Sequence, residues 1–232
     1  MKNRIVSGLG SEGQSFFRNH AERRRTRTGH LIYRDGDPIT EALFPESCII
    51  SVVGGMADGR SVEKTSIGSE GYVGPDPHRS GTAAYGDHVV QVPGEAYFLS
   101  LKFLDQALQR FPELGPAMQL SRKTHTLQLM EAAACNSVHN AEQRIVRWLL
   151  RAHDRVEGDT FYLTQEAIAN LLALRRATVN AVCSDLMQSG AISYNRGTVT
   201  IIDRERMSAR ACECYGRIRI AEQDATASKA AI

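Results

Sequence analysis

The apolar pattern of this 232-residue chain changes period near Leu101, which excludes any single repeating architecture. Between residue 31 and about residue 101 the apolar runs are short and close together, at 31–33, 49–53 and 89–92. Each is followed by a turn signal: Asp35-Gly36-Asp37-Pro38, Asp58-Gly59 or Pro93-Gly94. Asp-Gly between apolar runs favours a hairpin, because glycine supplies the backbone angles that such turns need. Strands this short and this closely spaced predict a jelly roll or barrel. Residues 1–20 are weakly periodic, and 20–27 is polar and basic.

After Leu101 the period becomes helical. Residues 101–111 predict a short helix stopped by Pro112. Beyond Pro116 no proline or glycine interrupts a stretch in which Leu120, Leu127, Met130 and Ala134 recur near a 3.5-residue period. A long amphipathic helix follows from this, and its apolar stripe either lies on its own domain or pairs with a second chain. Asn140, with Gln143 three residues later, has the form of a capping box for the next helix. The only tryptophan, Trp148, lies on that helix's apolar face with Ile145, Leu149 and Ala152 and reads as a core anchor.

Residues 161–203 are the most informative. Thr164 is a good N-cap, and Leu163 and Ile168 are placed to staple the helix start. Ile168, Leu171 and Leu172 face inward, Ala173-Leu174-Arg175 makes a short connection, and Val179, Val182 and Leu186 stripe a second helix. Gly190 ends it. Two alternating strands around Asn195-Arg196-Gly197 then form a hairpin. Helix, tight turn, helix, hairpin is a winged helix-turn-helix. The tail beyond Arg217 loses periodicity and is expected to be mobile at its end.

Composition narrows the functional class. No apolar run is long enough to span a membrane, and the N-terminus lacks the apolar core of a secretory signal. A cytoplasmic protein with no membrane partner is expected. The five cysteines, Cys48, Cys135, Cys183, Cys212 and Cys214, include no CxxC pair and read as free thiols. Cys212-x-Cys214 is half of a metal motif without a visible second half, so packing thiols and no metal or other cofactor are expected. No nucleophile–base pair or phosphate loop is visible, which argues against an enzyme. The net charge is only +2, so any polyanion must be met by local clusters such as Arg23-Arg24-Arg25 or Arg175-Arg176 with Arg196.

With Val179, Val182 and Leu186 turned to the core, Arg175, Arg176, Thr178 and Asn180 project near the N-terminal end of the second helix. Arginine pairs bidentately with guanine, asparagine with adenine, and the threonine methyl meets that of thymine. Thr164 and Gln165 suit a phosphate, and Arg196 at the hairpin tip suits the flanking backbone. The alternative is a winged helix used only for protein contacts. Cys183 is expected at the margin of the buried stripe, as a packing residue or a redox-sensitive one.

Three stretches carry a family resemblance: LTQEAIANLLALRRATVNAVCSDLMQSGAISYNRGTVTI (163–201), NAEQRIVRWLLRAHDRV (140–156) and LIYRDGDPITEALFPESCIISVV (31–53). Together the chain resembles the cyclic AMP receptor protein/FNR (Crp/Fnr) superfamily of bacterial regulators, with Arg176, Thr178 and Val179 in its Arg-x-Thr-Val core. The resemblance implies an α+β fold: a β-roll sensor over 1–111, a dimerisation helix over 112–138, a winged helix-turn-helix over 139–216, and a tail over 217–232. It also implies a homodimer, through Leu120, Leu127, Met130 and Ala134, on a palindromic operator. The partners expected are double-stranded DNA, a second copy of the chain and RNA polymerase.

The chain departs from the family pattern in several places. Ala177 and Ala181 stand where members reading the best-known half-site carry Glu and Arg. Ala173 replaces the usual turn glycine and is expected to be helical rather than left-handed. Cys48 stands where relatives often have glycine, and no cysteine precedes it, which argues against an iron–sulfur cluster. Glu70, Arg79 and Ser80 are the nearest match to a cyclic-nucleotide pocket, but the Gly-Glu order is broken in Gly68-Ser69-Glu70-Gly71. A roll that does not respond to cyclic AMP is expected, a ligand-gated one being the alternative.

Overall fold

A computed structural model describes residues 1–57, 61–77 and 83–227. The weakly periodic start forms two helices, α1 (Arg4–Ser7) and α2 (Ser11–His20). Buried Asn3 holds them down. Its Oδ1 accepts from the Ile5 and Val6 amides, and its Nδ2 donates to the carbonyls of Pro45 and Gly71 at 3.0 and 2.8 Å.

The roll follows as β1 (Glu22–Arg25), β2 (Leu31–Tyr33), β3 (Glu41–Pro45), β4 (Ile49–Gly55), β5 (Ser61–Ile67), β6 (Asp87–Val92) and β7 (Glu95–Ser100). Among the described residues these make two antiparallel sheets, β1-β7-β3 and β2-β6-β4-β5. Tyr33, Leu43, Ile50, Val90 and Phe98 fill the space within the roll. Gly36, at φ +83°, turns the chain after β2, as the Asp-Gly-Asp-Pro run predicts. The Asp58-Gly59 turn lies outside the described residues. The arginines at 23–25 belong to β1. Arg24 pairs with Glu41 at 2.9 Å and lies over the Phe98 ring, and Arg23 pairs with Glu95, so this cluster serves the roll.

Helices α3 (Leu101–Arg110) and α4 (Leu114–Val138) come next. The 25-residue α4 buries Leu114, Ala117, Met118, Ser121, Thr124, Gln128 and Cys135 against its own chain. The stripe of Leu120, Leu127, Met130 and Ala134 lies elsewhere on the helix. Leu120 and Leu127 are half-buried, Ala134 is exposed, and Met130 is 64% exposed. No helix is long and apolar enough to cross a membrane among the described residues.

The remaining elements are α5 (Ala141–His153), β8 (Thr160–Tyr162), α6 (Gln165–Leu171), α7 (Arg176–Gln188), β9 (Ile192–Asn195), β10 (Thr198–Ile201), α8 (Arg204–Ala209) and α9 (Glu213–Ala227). Asn140 and Gln143 form the capping box on α5. Strands β8, β10 and β9 form a small antiparallel sheet in that order. One core joins α5, α6, α7 and this sheet through Trp148, Leu149, Ile168, Val179, Leu186 and Val199.

Three sequence expectations need correction here. The segment from Arg217 is helical as far as Ala227 and packs on α4, with Ile218 and Glu222 buried one turn apart. Their single polar member hid the stripe. The buried stripe of α7 passes through Val179, Cys183 and Leu186, with Val182 only half-buried. Cys183 is therefore a core residue and not a marginal one. Burial pushes its thiol up to about 11, which leaves little of the thiolate that oxidation requires.

Candidate nucleic-acid interface

Local chemistry sets the turn between α6 and α7. The Thr164 hydroxyl caps α6 by accepting from the Ala167 amide at 3.1 Å, so this side chain is committed to the helix, while Gln165 beside it is half-buried. At the other end the Leu174 amide donates to the Ala169 carbonyl at 2.9 Å and the Ala173 amide to that of Asn170 at 3.3 Å. These are the two bonds of a Schellman cap, whose C′ residue must be left-handed. Ala173 accordingly has φ +49°, which corrects the expectation of a helical backbone there. Arg144 of α5 donates to the Leu172 carbonyl at 2.5 Å and satisfies another free acceptor of the helix end.

This turn starts α7 with its N-terminal end open. Arg175 is the N-cap residue and makes no side-chain cap bond. Arg175, Arg176 and Asn180 are exposed and Thr178 is half-buried, with exposed Ala177 and Ala181 among them. At the hairpin, Arg196 at φ +47° and Gly197 at φ +80° give the two left-handed residues of a type I′ turn. The Tyr194 hydroxyl donates to the Leu163 carbonyl and fixes the hairpin against the start of α6.

Ion pairing separates two sets of arginines in this half of the chain. Arg204 pairs with Asp154, Arg210 with Glu142 and Asp185, and Arg206 with Asp203. Among the described residues Arg175, Arg176 and Arg196 form no salt bridge. An open helix terminus, three unneutralised guanidiniums and a projecting hairpin are suited to a polyanion with a groove.

The roll and this half of the chain are joined by buried polar contacts that sequence reasoning missed, because the partners are far apart along the chain. The Trp148 indole donates to Glu63 Oε1 of β5 at 2.9 Å. Burial raises the Glu63 carboxyl against the pull of its Ser51 and Trp148 donors. A second junction centres on Arg155, which pairs with Glu70 at 2.6 Å and donates to Ser66 Oγ at 2.8 Å. Gln128 of α4 and Arg151 of α5 both donate to Glu222 of α9, at 3.1 and 3.0 Å.

Glu70 is thus not a free ribose ligand, which corrects its assignment to an effector pocket. Burial works to raise it, but the Arg155 guanidinium, with His125 behind it, holds it well below the ordinary carboxylate range. Arg79 and Ser80, the other pocket candidates, lie outside the described residues. A cavity of about 350 Å³ does open between the roll and α4, lined by Tyr72, His88, Arg122 and His125 among others, and Glu70 is absent from its lining. Asp76 on its rim pairs with Arg122 at 3.4 Å.

Comparison with known proteins places residues 143–210 in the Crp-like helix-turn-helix domain. No curated protein sequence matches the chain. Among solved structures it is similar to FixK2 from Bradyrhizobium japonicum, with TM-score 0.66 and 13% identity over 83% of this chain and 98% of that one. It is also similar to a CRP-family transcriptional regulator from Thermus thermophilus, with TM-score 0.65 and 20% identity over 81% and 96%. The c-di-GMP-responsive regulator CLP from Xanthomonas campestris gives TM-score 0.60 and 20% identity over 81% and 97%. Each of these likenesses spans more than four fifths of this chain.

Proposed function

We propose, from the Crp/Fnr-type regulator fold of this chain, that it is a sequence-specific DNA-binding transcription regulator that acts as a homodimer. The observation that carries the reading is the set of exposed, unpaired arginines Arg175, Arg176 and Arg196, in a domain where Arg204, Arg206 and Arg210 are neutralised by carboxylates. In this arrangement α7 enters the major groove by its N-terminal end. Arg176, Thr178 and Asn180 read base edges, Arg175 and Arg196 meet phosphates, and Gln165 sits beside the backbone. Because Ala177 and Ala181 carry no polar group, fewer positions of each half-site are specified by direct contact.

Two half-sites require two heads. The outward side of α4 supports a parallel pairing: half-buried Leu120 and Leu127 and exposed Ala134 recur at seven-residue spacing, with exposed Met130 among them and Val138 beyond, the last 74% exposed. A heptad-spaced apolar stripe that its own chain covers only in part suits the seam of a two-stranded coiled coil. The roll reports to the head through Glu63–Trp148 and Glu70–Arg155, and it is proposed not to respond to cyclic AMP, since Glu70 is already bound. RNA polymerase is the partner expected downstream.

Selection of bound duplexes from a random pool tests the reading. A palindromic motif is expected, with affinity falling steeply as salt rises because the arginines displace counterions. Arg176→Ala should relax one base pair per half-site, at a cost of about 1–3 kcal/mol. An unchanged motif in that variant would refute the assignment of α7, and salt-independent or absent duplex binding would favour a protein-contact role.

A further inference from the structure

The cysteine pair at 212 and 214 looks isolated in sequence, but the fold completes it. Cys135 and His139 stand one turn apart at the C-terminal end of α4. Cys212 immediately precedes α9 and Cys214 lies in its first turn. The ligand atoms of Cys135, His139, Cys212 and Cys214 all lie within 4.8 Å of one another. Cys135 Sγ is 3.7 Å from Cys212 Sγ, and Cys214 Sγ is 3.7 Å from His139 Nδ1. The three cysteines form a small buried cluster of their own, 0, 4 and 1% exposed.

We infer that these four residues bind a single divalent transition-metal ion, zinc by its chemistry, in a closed structural site. Tetrahedral bonds of about 2.3 Å from zinc to sulfur put neighbouring sulfurs about 3.8 Å apart, against the 3.7 Å between Cys135 and Cys212. The cage is too tight for a polynuclear cluster, whose ligands must span several metal atoms. Three soft thiolates and one imidazole form a set that selects zinc over hard cations. Four protein ligands leave no open position for a substrate, which distinguishes a structural ion from a catalytic one.

The surroundings supply what a bound ion needs. His139 presents Nδ1 to the site, while its Nε2 lies 3.2 Å from the Glu213 carboxylate. A carboxylate on the distal nitrogen fixes the tautomer and orientation of a ligating imidazole. Zinc with three thiolates carries a net charge of −1. The guanidiniums of Arg144 and Arg147 are close enough to act on Cys135, and Arg147, 6% exposed, has an Nε with no hydrogen-bond partner. The N-terminal end of α9 adds its partial positive charge beside Cys212 and Cys214. Binding exchanges protons for metal: Zn²⁺ enters, the three thiols lose three protons to solvent, and neutral His139 donates its lone pair. No oxidant or reductant takes part. The ion would fasten the end of the long helix to the start of α9, independently of whether the winged helix binds DNA.

The test uses the full chain, reduced and stripped of metal, then titrated with Zn²⁺ against a chromophoric chelator and separately with Co²⁺. One equivalent should bind with release of protons, and the cobalt form should show the thiolate charge-transfer and visible bands of a tetrahedral sulfur site. Cys214→Ser and His139→Ala should each weaken affinity at least tenfold, while Cys48→Ala, a buried cysteine in the roll, should bind as wild type. Glu213→Gln should weaken it by about tenfold, because His139 loses the carboxylate on its distal nitrogen. The inference is overturned if the reduced, folded wild type takes up no metal, if Cys214→Ser binds as tightly as wild type, or if Cys135 and Cys212 are found only as a disulfide. Should the variants fail to fold, the wild-type cobalt spectrum decides alone, since a site without several sulfur ligands lacks the charge-transfer band.

Discussion

Ala173→Gly should stabilise the protein, and the size of the effect follows from one backbone angle. Ala173 is the C′ residue of the cap that ends α6, held at φ +49° by the Leu174–Ala169 and Ala173–Asn170 hydrogen bonds. An L-residue in the left-handed region costs about 1–2 kcal/mol. Glycine removes that cost but returns about 0.4–1 kcal/mol as extra freedom of the unfolded chain. The alanine methyl is exposed, so no buried surface is lost. The difference is a net gain of about 0.5–1 kcal/mol, which raises the midpoint by roughly 1–4 °C in a chain of this size. Thermal and urea unfolding followed by circular dichroism measure it. Ala173→Val should shift the midpoint the other way, since a β-branched residue is worse still at positive φ. A glycine variant equal to or less stable than wild type would refute the argument, because it would mean that the turn is not left-handed in solution.

The other expectations rest on charge and exposure. Arg196→Asn keeps a residue that tolerates the left-handed turn but removes its cation; stability should hold, duplexes of every sequence should weaken alike, and the salt slope should fall by about one in each head. A change of motif in that variant would move Arg196 from phosphate to base contact. Leu127→Glu with Met130→Glu puts like charges into the free face of α4, and sedimentation should report monomers with little specific DNA binding; a variant still dimeric would place the interface elsewhere. Burial, and after it the Glu70 charge, push Glu222 up from 4.5 to about 7. The folded chain then holds a proton that the unfolded chain has lost, so stability from this group is full below about pH 4.5 and lost as pH rises through 7. Glu222→Gln should flatten the urea midpoint between those pH values, and an unchanged slope would remove Glu222 as its source.

Local signals made the winged helix legible. Thr164, Gly190, the Asn140–Gln143 box and the hairpin residues each act within a few positions of themselves, so their effects survive without knowledge of the fold. The roll was visible for the same reason, in the turn at Gly36. What sequence could not reveal depends on distant partners. Glu70 looks like a pocket residue until Arg155 is brought against it, and Cys212 and Cys214 look like half a motif until the end of α4 arrives. Ala173 shows the limit of local propensity: alanine prefers a helical backbone, but the two cap bonds and the packing of Leu174 into the core outweigh that preference. Residues beyond Arg217 read as aperiodic because Glu222 interrupts an apolar stripe, and its donors Gln128 and Arg151 lie on other helices.

The bond from Trp148 to Glu63 has an optical consequence. The chain has a single indole, and it lies at the boundary between the winged-helix core and β5 of the roll, 6% exposed and donating to a carboxylate from the other side. Every photon of tryptophan emission therefore originates at the joint between the two halves. While they remain docked the indole is shielded and its spectrum is blue; once they separate it meets water and the emission moves to longer wavelength. The unmodified protein thus carries its own fluorescent gauge of that joint, one that needs no label and that operator DNA or a small molecule can be titrated against directly.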